Sequence, residues 1–351
     1  MTPIILFLTS ILLSFITILL FKKLFYKLSI LDNPIKYKKN RKPIPYSMWV
    51  VFFIIFFILS YFFVDHNYKL YLLWFFGFVI TLVSFIDDML NVSPKIRLII
   101  QVIIWTTIWL TAIKVGYISN IFGWVIDLDN FFIEILNYKI YLISLVFTII
   151  WYVFIFNSLN WTDGIQWNTR WLSIISFFII FLLWLKLYFS DDYIGGIENA
   201  NFIMSLSIIL VWIILPFFYF DVKEKILMWD SWTMFLAFML ASLAIISGWK
   251  IATVLVVFGI YVIDAIYVIL NRLKNKKNPL SGDFTHLHHR LLDLWLSKTQ
   301  VLTFIFSFSF LFWITSLFLD RTWKIIIFVI ITFFVIFSTK VISKFMKNEK
   351  K

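Results

Sequence analysis

Three of the four histidines, His286, His288 and His289, fall within four residues, and Arg290 follows them directly. The stretch that holds them, from Asn278 through Asp283 to Leu291, is polar and basic and lies between very apolar segments. Imidazoles gathered in one such loop can donate to phosphate or sugar oxygens, or ligate metal, near neutral pH. Aspartates form a second group. Asp87 and Asp88 are adjacent, Asp163 closes the run Asn157-Ser158-Leu159-Asn160-Trp161-Thr162-Asp163, and Asp230 stands in Met228-Trp229-Asp230-Ser231. Neighbouring carboxylates repel unless a cation or strong donors share them. Mg²⁺ is the expected cation, since it takes one or two carboxylates together with substrate phosphates. Asp87, Asp88, Asp163 and Asp230 are therefore the candidate catalytic residues, and Asp88, Asp163 and Asp230 the candidate metal ligands. The plainer reading of any one of them is a helix cap at the membrane interface. Lys95 and Arg97 follow the acidic pair. Arg97 and Gln101, at i and i+4, share a helix face, where they either hold phosphate or anchor a cytoplasmic loop. The run Lys36, Lys38, Lys39, Arg41 and Lys42 attracts anionic headgroups or serves as an orientation signal.

The elements that must position these groups are membrane helices. The 351 residues are 62% hydrophobic, a proportion no soluble domain carries. Apolar runs long enough to span lipid lie near 3–21, 46–64, 70–86, 97–114, 140–156, 171–189, 201–219, 233–248, 251–271, 300–319 and 323–343. The expected fold is an all-α polytopic membrane protein of about 10–11 transmembrane helices in a single domain over residues 1–351. With the N-terminus outside, most of the 31 Lys and Arg fall on the inner side, while acidic residues such as Asp127, Asp129, Asp191 and Asp192 fall outside. That orientation gathers all four polar motifs on the cytoplasmic face. It also accounts for the net charge of +12 without a nucleic-acid partner. Cysteine is absent, which excludes thiolate chemistry and disulfides. No cleavable signal is expected at the start, because lysines follow the first apolar run directly. Carboxylates, basic residues and imidazoles together at a membrane face suit phosphoryl transfer between a soluble nucleotide and a lipid. The alternative is a transporter or lipid flippase, although such proteins place ionisable groups near mid-membrane, and Asp264 is the main candidate of that kind here.

From about Leu31 to Ser297 the chain resembles the polyprenyl-phosphate N-acetylhexosamine-1-phosphate transferases, relatives of the lipid I-forming translocase. The resemblance rests on Asp32-Asn33-Pro34 with Pro45, Asp87-Asp88 with Pro94, Arg97 and Gln101, and Asn157, Asn160 and Asp163-Gly164. It continues through Lys225, Asp230-Ser231, Asp264, Arg272, Pro279, Asp283 and His286-x-His288-His289-Arg290. It implies that the phosphate of undecaprenyl phosphate attacks the β-phosphorus of a UDP-N-acetylamino sugar. UMP then leaves, and the lipid carries the first sugar of a cell-surface polysaccharide such as lipopolysaccharide or teichoic acid. By matching position, Asp87 deprotonates or positions the lipid phosphate and Asp88 supports it. Asp230 binds Mg²⁺ and Asp163 helps to bind the nucleotide. Asn157, Asn160, Lys95, Arg97, His286, His288, His289 and Arg290 become the substrate-binding set. The implied setting is the bacterial inner membrane with a cytoplasmic site, membrane lipid around it, and a homodimer left open.

The departures from the family pattern share one form. Where relatives carry glycine, this chain carries Trp49, Trp167, Trp171, Trp229 and Trp232, with Trp249 and Trp295 in the same set. Glycine in such loops permits positive φ and close approach of backbone N–H groups to phosphate, and an indole permits neither. The chain holds 17 Trp against 9 Gly, although glycine ordinarily makes up about 7% of residues. The pattern predicts a gene in which UGA encodes glycine but was read as tryptophan; genuine tryptophans would instead mark a non-catalytic homologue. Gln166 and Asn40 are smaller departures, at positions where many relatives have aspartate and histidine.

Overall fold

A segment in lipid must satisfy its own backbone hydrogen bonds, and an α-helix does so without a partner. The computed structural model describes residues 3–34, 41–46, 48–90, 92–111, 113–119, 125–135, 138–162, 167–189, 197–227, 230–247, 259–276, 286–293 and 296–319, with short pieces as far as residue 341. Its helices are α1 (Pro3–Lys27), α2 (Trp49–Phe63), α3 (Tyr68–Leu90), α4 (Pro94–Leu110), α5 (Leu142–Thr162), α6 (Asn168–Tyr188), α7 (Ile197–Val222), α8 (Asp230–Ile246), α9 (Gly259–Lys274), α10 (Leu287–Leu292) and α11 (Lys298–Phe318). Among the described residues, five helices are long and apolar enough to cross a membrane: Ile4–Lys27, Tyr68–Asp87, Leu142–Trp161, Asn168–Tyr188 and Glu198–Val222. Trp49–Phe63 and Trp232–Ile246 are shorter apolar helices. The protein is mostly helical and multi-pass. Residues 251–258 of the expected ninth span and much of 323–343 lie outside the described residues.

The chain divides into two compact units. The first comprises Met1–Ser93 and Thr169–Ile246. In it α1 packs on α2 and α7, and α3 packs on α8. A Cβ on Gly77 would lie 3.0 Å from the Phe235 ring, so glycine lets α3 and α8 approach. Aromatic contacts fix the helix directions. Trp49 meets Phe85, Phe53 meets Phe78 and Phe57 meets Trp74, so α2 and α3 run antiparallel. Phe52 touches both Trp232 and Phe235. The end of α3 and the start of α8 therefore share the Trp49 end of α2.

The second unit comprises Pro94–Asn168 and Ser247–Lys351. Here α4 packs antiparallel on α5. Trp105 stacks on Tyr152 at 4.4 Å, and Trp109 Nε1 donates to Ser144 Oγ at 3.1 Å. Helix α9 packs on α5 and α11, and α10 packs on α11. The stretch between α4 and α5, expected only as an acidic outer loop, forms two small antiparallel hairpins. β1 (Tyr117–Ser119) pairs with β2 (Val125–Asp127), and β3 (Phe132–Ile135) pairs with β4 (Tyr138–Tyr141). Glu134 opposite Lys139, with the Lys139 ammonium over the Phe132 ring, is the kind of cross-strand pairing that sets a register. Strands of three or four residues leave too short an alternation to read from sequence.

Candidate active site

Three of the four candidate carboxylates, Asp87, Asp88 and Asp230, belong to the first unit. Asp87 lies in the last turn of α3, is 9% exposed, and accepts a hydrogen bond at Oδ1 from the Val92 N–H at 3.2 Å. One of its oxygens thus braces the turn between α3 and α4. Asp88 occupies the same helical turn, and Asp230 begins α8; the side chains of both lie outside the described residues. The contacts of α2 with Phe85 and Trp232 bring these two helix termini to one end of the unit.

Two buried charge pairs brace that end. Arg41 donates to both oxygens of buried Asp32, at 3.1 and 2.7 Å, and the Ile44 N–H donates to Asp32 Oδ1 at 2.8 Å. The hydrogen bond with Asp32 raises the Arg41 pKa further. Arg41 therefore clamps its own loop; residues 35–40 of the basic run lie outside the described residues. Pro45 O then accepts from the Leu227 N–H at 2.9 Å, tying this loop to the chain that leads into Asp230. The second pair joins Arg170, in the first turn of α6, to Asp221 at the end of α7, with Nε–Oδ2 at 3.3 Å. Sequence reasoning did not find it, because 51 residues separate the partners.

The imidazole group belongs to the second unit, and Asp264 organises it. This aspartate is 3% exposed on α9. Its Oδ2 lies 3.0 Å from His286 Nδ1 and accepts from the Leu287 N–H at 2.9 Å, while Oδ1 accepts from Arg290 Nη2 at 2.5 Å. His286 is the N-cap residue of α10 but makes no side-chain cap of its own. The carboxylate of a neighbouring helix supplies the acceptor that the first helical N–H lacks. Arg290 also lies 4.9 Å over the Tyr267 ring, and Tyr267 is three residues from Asp264 on the same face of α9. The sequence marked Asp264 as a buried charge without naming the groups it holds.

His288 is 2% exposed, and its Nε2 has no hydrogen-bond partner within the protein. Burial, reinforced by the charge of neighbouring His289, lowers its pKa to about 3, so its imidazole is neutral at physiological pH. The rings of His288 and His289 lie 4.2 Å apart, and Trp161 at the end of α5 lies 5.2 Å from His286. The second unit thus holds one imidazole and one guanidinium in place through Asp264, beside a buried neutral imidazole.

Asn157 and Asn160 stand in the last turns of α5, and Lys95 and Arg97 in the first turn of α4. The antiparallel packing of α4 and α5 sets all four at one end of that pair. Lys95 is exposed and Arg97 half-buried. Asn157 Nδ2 donates to the Val153 carbonyl at 2.7 Å, which leaves its side-chain oxygen facing away from that bond. Asp163 lies outside the described residues.

The model of glycosyl transferase family 4 matches residues 70–248, more than half of the chain. The chain belongs to glycosyl transferase family 4. The matched span includes Asp87, Asp88, Lys95, Arg97, Asn157, Asn160, Asp163 and Asp230, while the histidine turn lies beyond it. A relative from Bacillus subtilis (strain 168), described as a probable undecaprenyl-phosphate N-acetylglucosaminyl 1-phosphate transferase, is 26% identical over 275 residues. That match covers 73% of this chain and 69% of the relative. Membership in this family makes the protein a sugar-phosphate transferase and sets aside the transporter reading.

Proposed function

We propose that this family 4 transferase moves an N-acetylamino-sugar 1-phosphate from a UDP-sugar to undecaprenyl phosphate at the cytoplasmic face of a bacterial inner membrane, with its N-terminus outside. A phosphate oxygen of the lipid forms a bond to the β-phosphorus of the UDP-sugar. The bond from that phosphorus to the bridging oxygen of UMP breaks, and UMP leaves with the electron pair. Asp87 holds the lipid phosphate in line and takes up any proton it carries, with Asp88 beside it. Asn157, Asn160 and Asp163 hold the nucleotide. Lys95 and Arg97 neutralise phosphate. His286, His289 and Arg290 grip the sugar and diphosphate, and His288 offers its buried nitrogen to the same ligand.

Asp88 at the end of α3 and Asp230 at the start of α8 are hard carboxylate donors of the kind Mg²⁺ takes, in a chain without cysteine. Among the described residues no three His, Asp or Glu side chains gather as a metal site. Asp230, Asp88 and Asp163 would hold the ion, with diphosphate oxygens completing its shell. Bound there, it would offset negative charge on the diphosphate. The observation that supports the reading is the cluster on Asp264, which holds His286 and Arg290 in place; donors fixed in advance suit a phosphoryl ligand. Purified protein supplied with undecaprenyl phosphate, a UDP-N-acetylhexosamine and Mg²⁺ should release UMP in proportion to the lipid. Release of UDP, or no lipid-dependent nucleotide at all, would refute the proposal.

A further inference from the structure

Among the described residues, four other than glycine have positive φ. Ser29, Glu224 and Lys276, at φ 56, 47 and 55, each follow the end of a helix, namely α1, α7 and α9. Helices commonly terminate through such a left-handed residue. Trp167, at φ 79, is different in kind. It precedes a helix, α6, instead of ending one, and for a bulky side chain this region of φ is a genuine outlier. Glycine reaches it without cost.

A second observation concerns hydrogen bonding. The indole Nε1 atoms of Trp49, Trp167 and Trp232 are buried and have no partner within the protein. A buried indole N–H ordinarily finds an acceptor, and one left without it loses the bond it made to water. Trp232 is 1% exposed and Trp49 is 7% exposed, each packed edge-on or tilted against phenylalanine. That packing buries the ring without serving its nitrogen. All three stand at helix starts: Trp49 opens α2, Trp167 directly precedes α6, and Trp232 is the third residue of α8. Trp171 gives no such sign, being 38% exposed in regular helix against Phe218. Trp229, Trp249 and Trp295 lie outside the described residues.

Backbone strain at Trp167 and buried indoles at three helix starts coincide with a composition rich in tryptophan and poor in glycine, 17 against 9. One cause covers all of it. UGA differs from the glycine codon GGA in its first base and from the tryptophan codon UGG in its third, so a reassigned UGA converts one residue into the other wherever it occurs. We infer that the natural protein carries glycine at positions 49, 167 and 232, encoded by UGA that has been read as tryptophan.

The test is peptide mass spectrometry of the protein isolated from its organism of origin, with the gene's codons read alongside. Glycine in the peptides covering these positions, with UGA in the gene, is the expected result. Tryptophan in those peptides, or UGG at residue 167, overturns the inference. A second measurement uses the full-length chain as written, with all its tryptophans encoded by UGG, beside W167G and W167A. W167G should melt at a higher temperature than the parent, and W167A should gain less, because alanine keeps the φ penalty. Equal or lower melting of W167G also overturns it. None of these readouts depends on catalysis, so their failure is separable from failure of the transferase reading.

Discussion

Asp264 and Asp87 are both buried aspartates on helices, yet the two units use them in opposite ways. Asp264 is surrounded by His286, Arg290 and the Leu287 N–H, so its charge is spent inside the protein to hold other groups still. Asp87 accepts from the Val92 N–H at a turn, next to Asp88 and at the same end of its unit as Asp230. The first arrangement builds a rigid set of donors before any ligand arrives. The second gathers carboxylates at one end of its unit, where the proposed cation and substrate would offset their charge. On the proposed function, recognition and charge neutralisation fall to different groups of residues, and each should fail in its own way.

The largest effect should come from the carboxylates. Asp87→Asn should lower lipid-dependent UMP release by about 10²–10⁴-fold, the usual range for loss of a general base, with little change in KM for the UDP-sugar. A change in KM alone would remove the contrast between the two units. Asp264→Asn should act the other way. Removing one partner of a buried pair costs about 3–5 kcal/mol, so the melting temperature should fall. KM for the UDP-sugar should rise as His286 and Arg290 loosen. Unchanged stability would mean that the cluster does not depend on Asp264.

A smaller effect sharpens the picture at His288. Its pKa in the folded protein is about 3, against about 6.5 in an unfolded chain. Between those values the unfolded state binds a proton that the folded state excludes, so stability falls as pH drops through this window and is flat for this group below it. His288→Gln should flatten the loss of melting temperature between about pH 7 and about pH 4. An unaltered slope would place the burial penalty elsewhere. The smallest effect is expected at the Asp32 loop. Arg41→Ala should cost about 1–3 kcal/mol, the scale of hydrogen bonds to a charged group, and should act on stability more than on KM.

The legible part of this molecule was what the membrane forces into view. Apolar runs gave the helices, and Asp87-Asp88, Asp230 and the His286–Arg290 turn stood out because polar groups collect where spans end. The partners of those groups were not legible. Asp264 lies 22 residues before His286, and Arg170 lies 51 residues before Asp221, so only the folded backbone brings them together. The hairpins before α5 were missed because their strands are too short to show alternation. The surplus of tryptophan was visible in composition, but only the φ of Trp167 and the unserved indole nitrogens separate positions 49, 167 and 232 from Trp171.

The most direct measurement follows a label on the β-phosphorus of the UDP-sugar through one round of reaction with undecaprenyl phosphate. Transfer of the sugar as its 1-phosphate predicts the label in the lipid extract and unlabelled UMP in the water phase. Label leaving in UDP while the sugar alone enters the lipid would contradict the account.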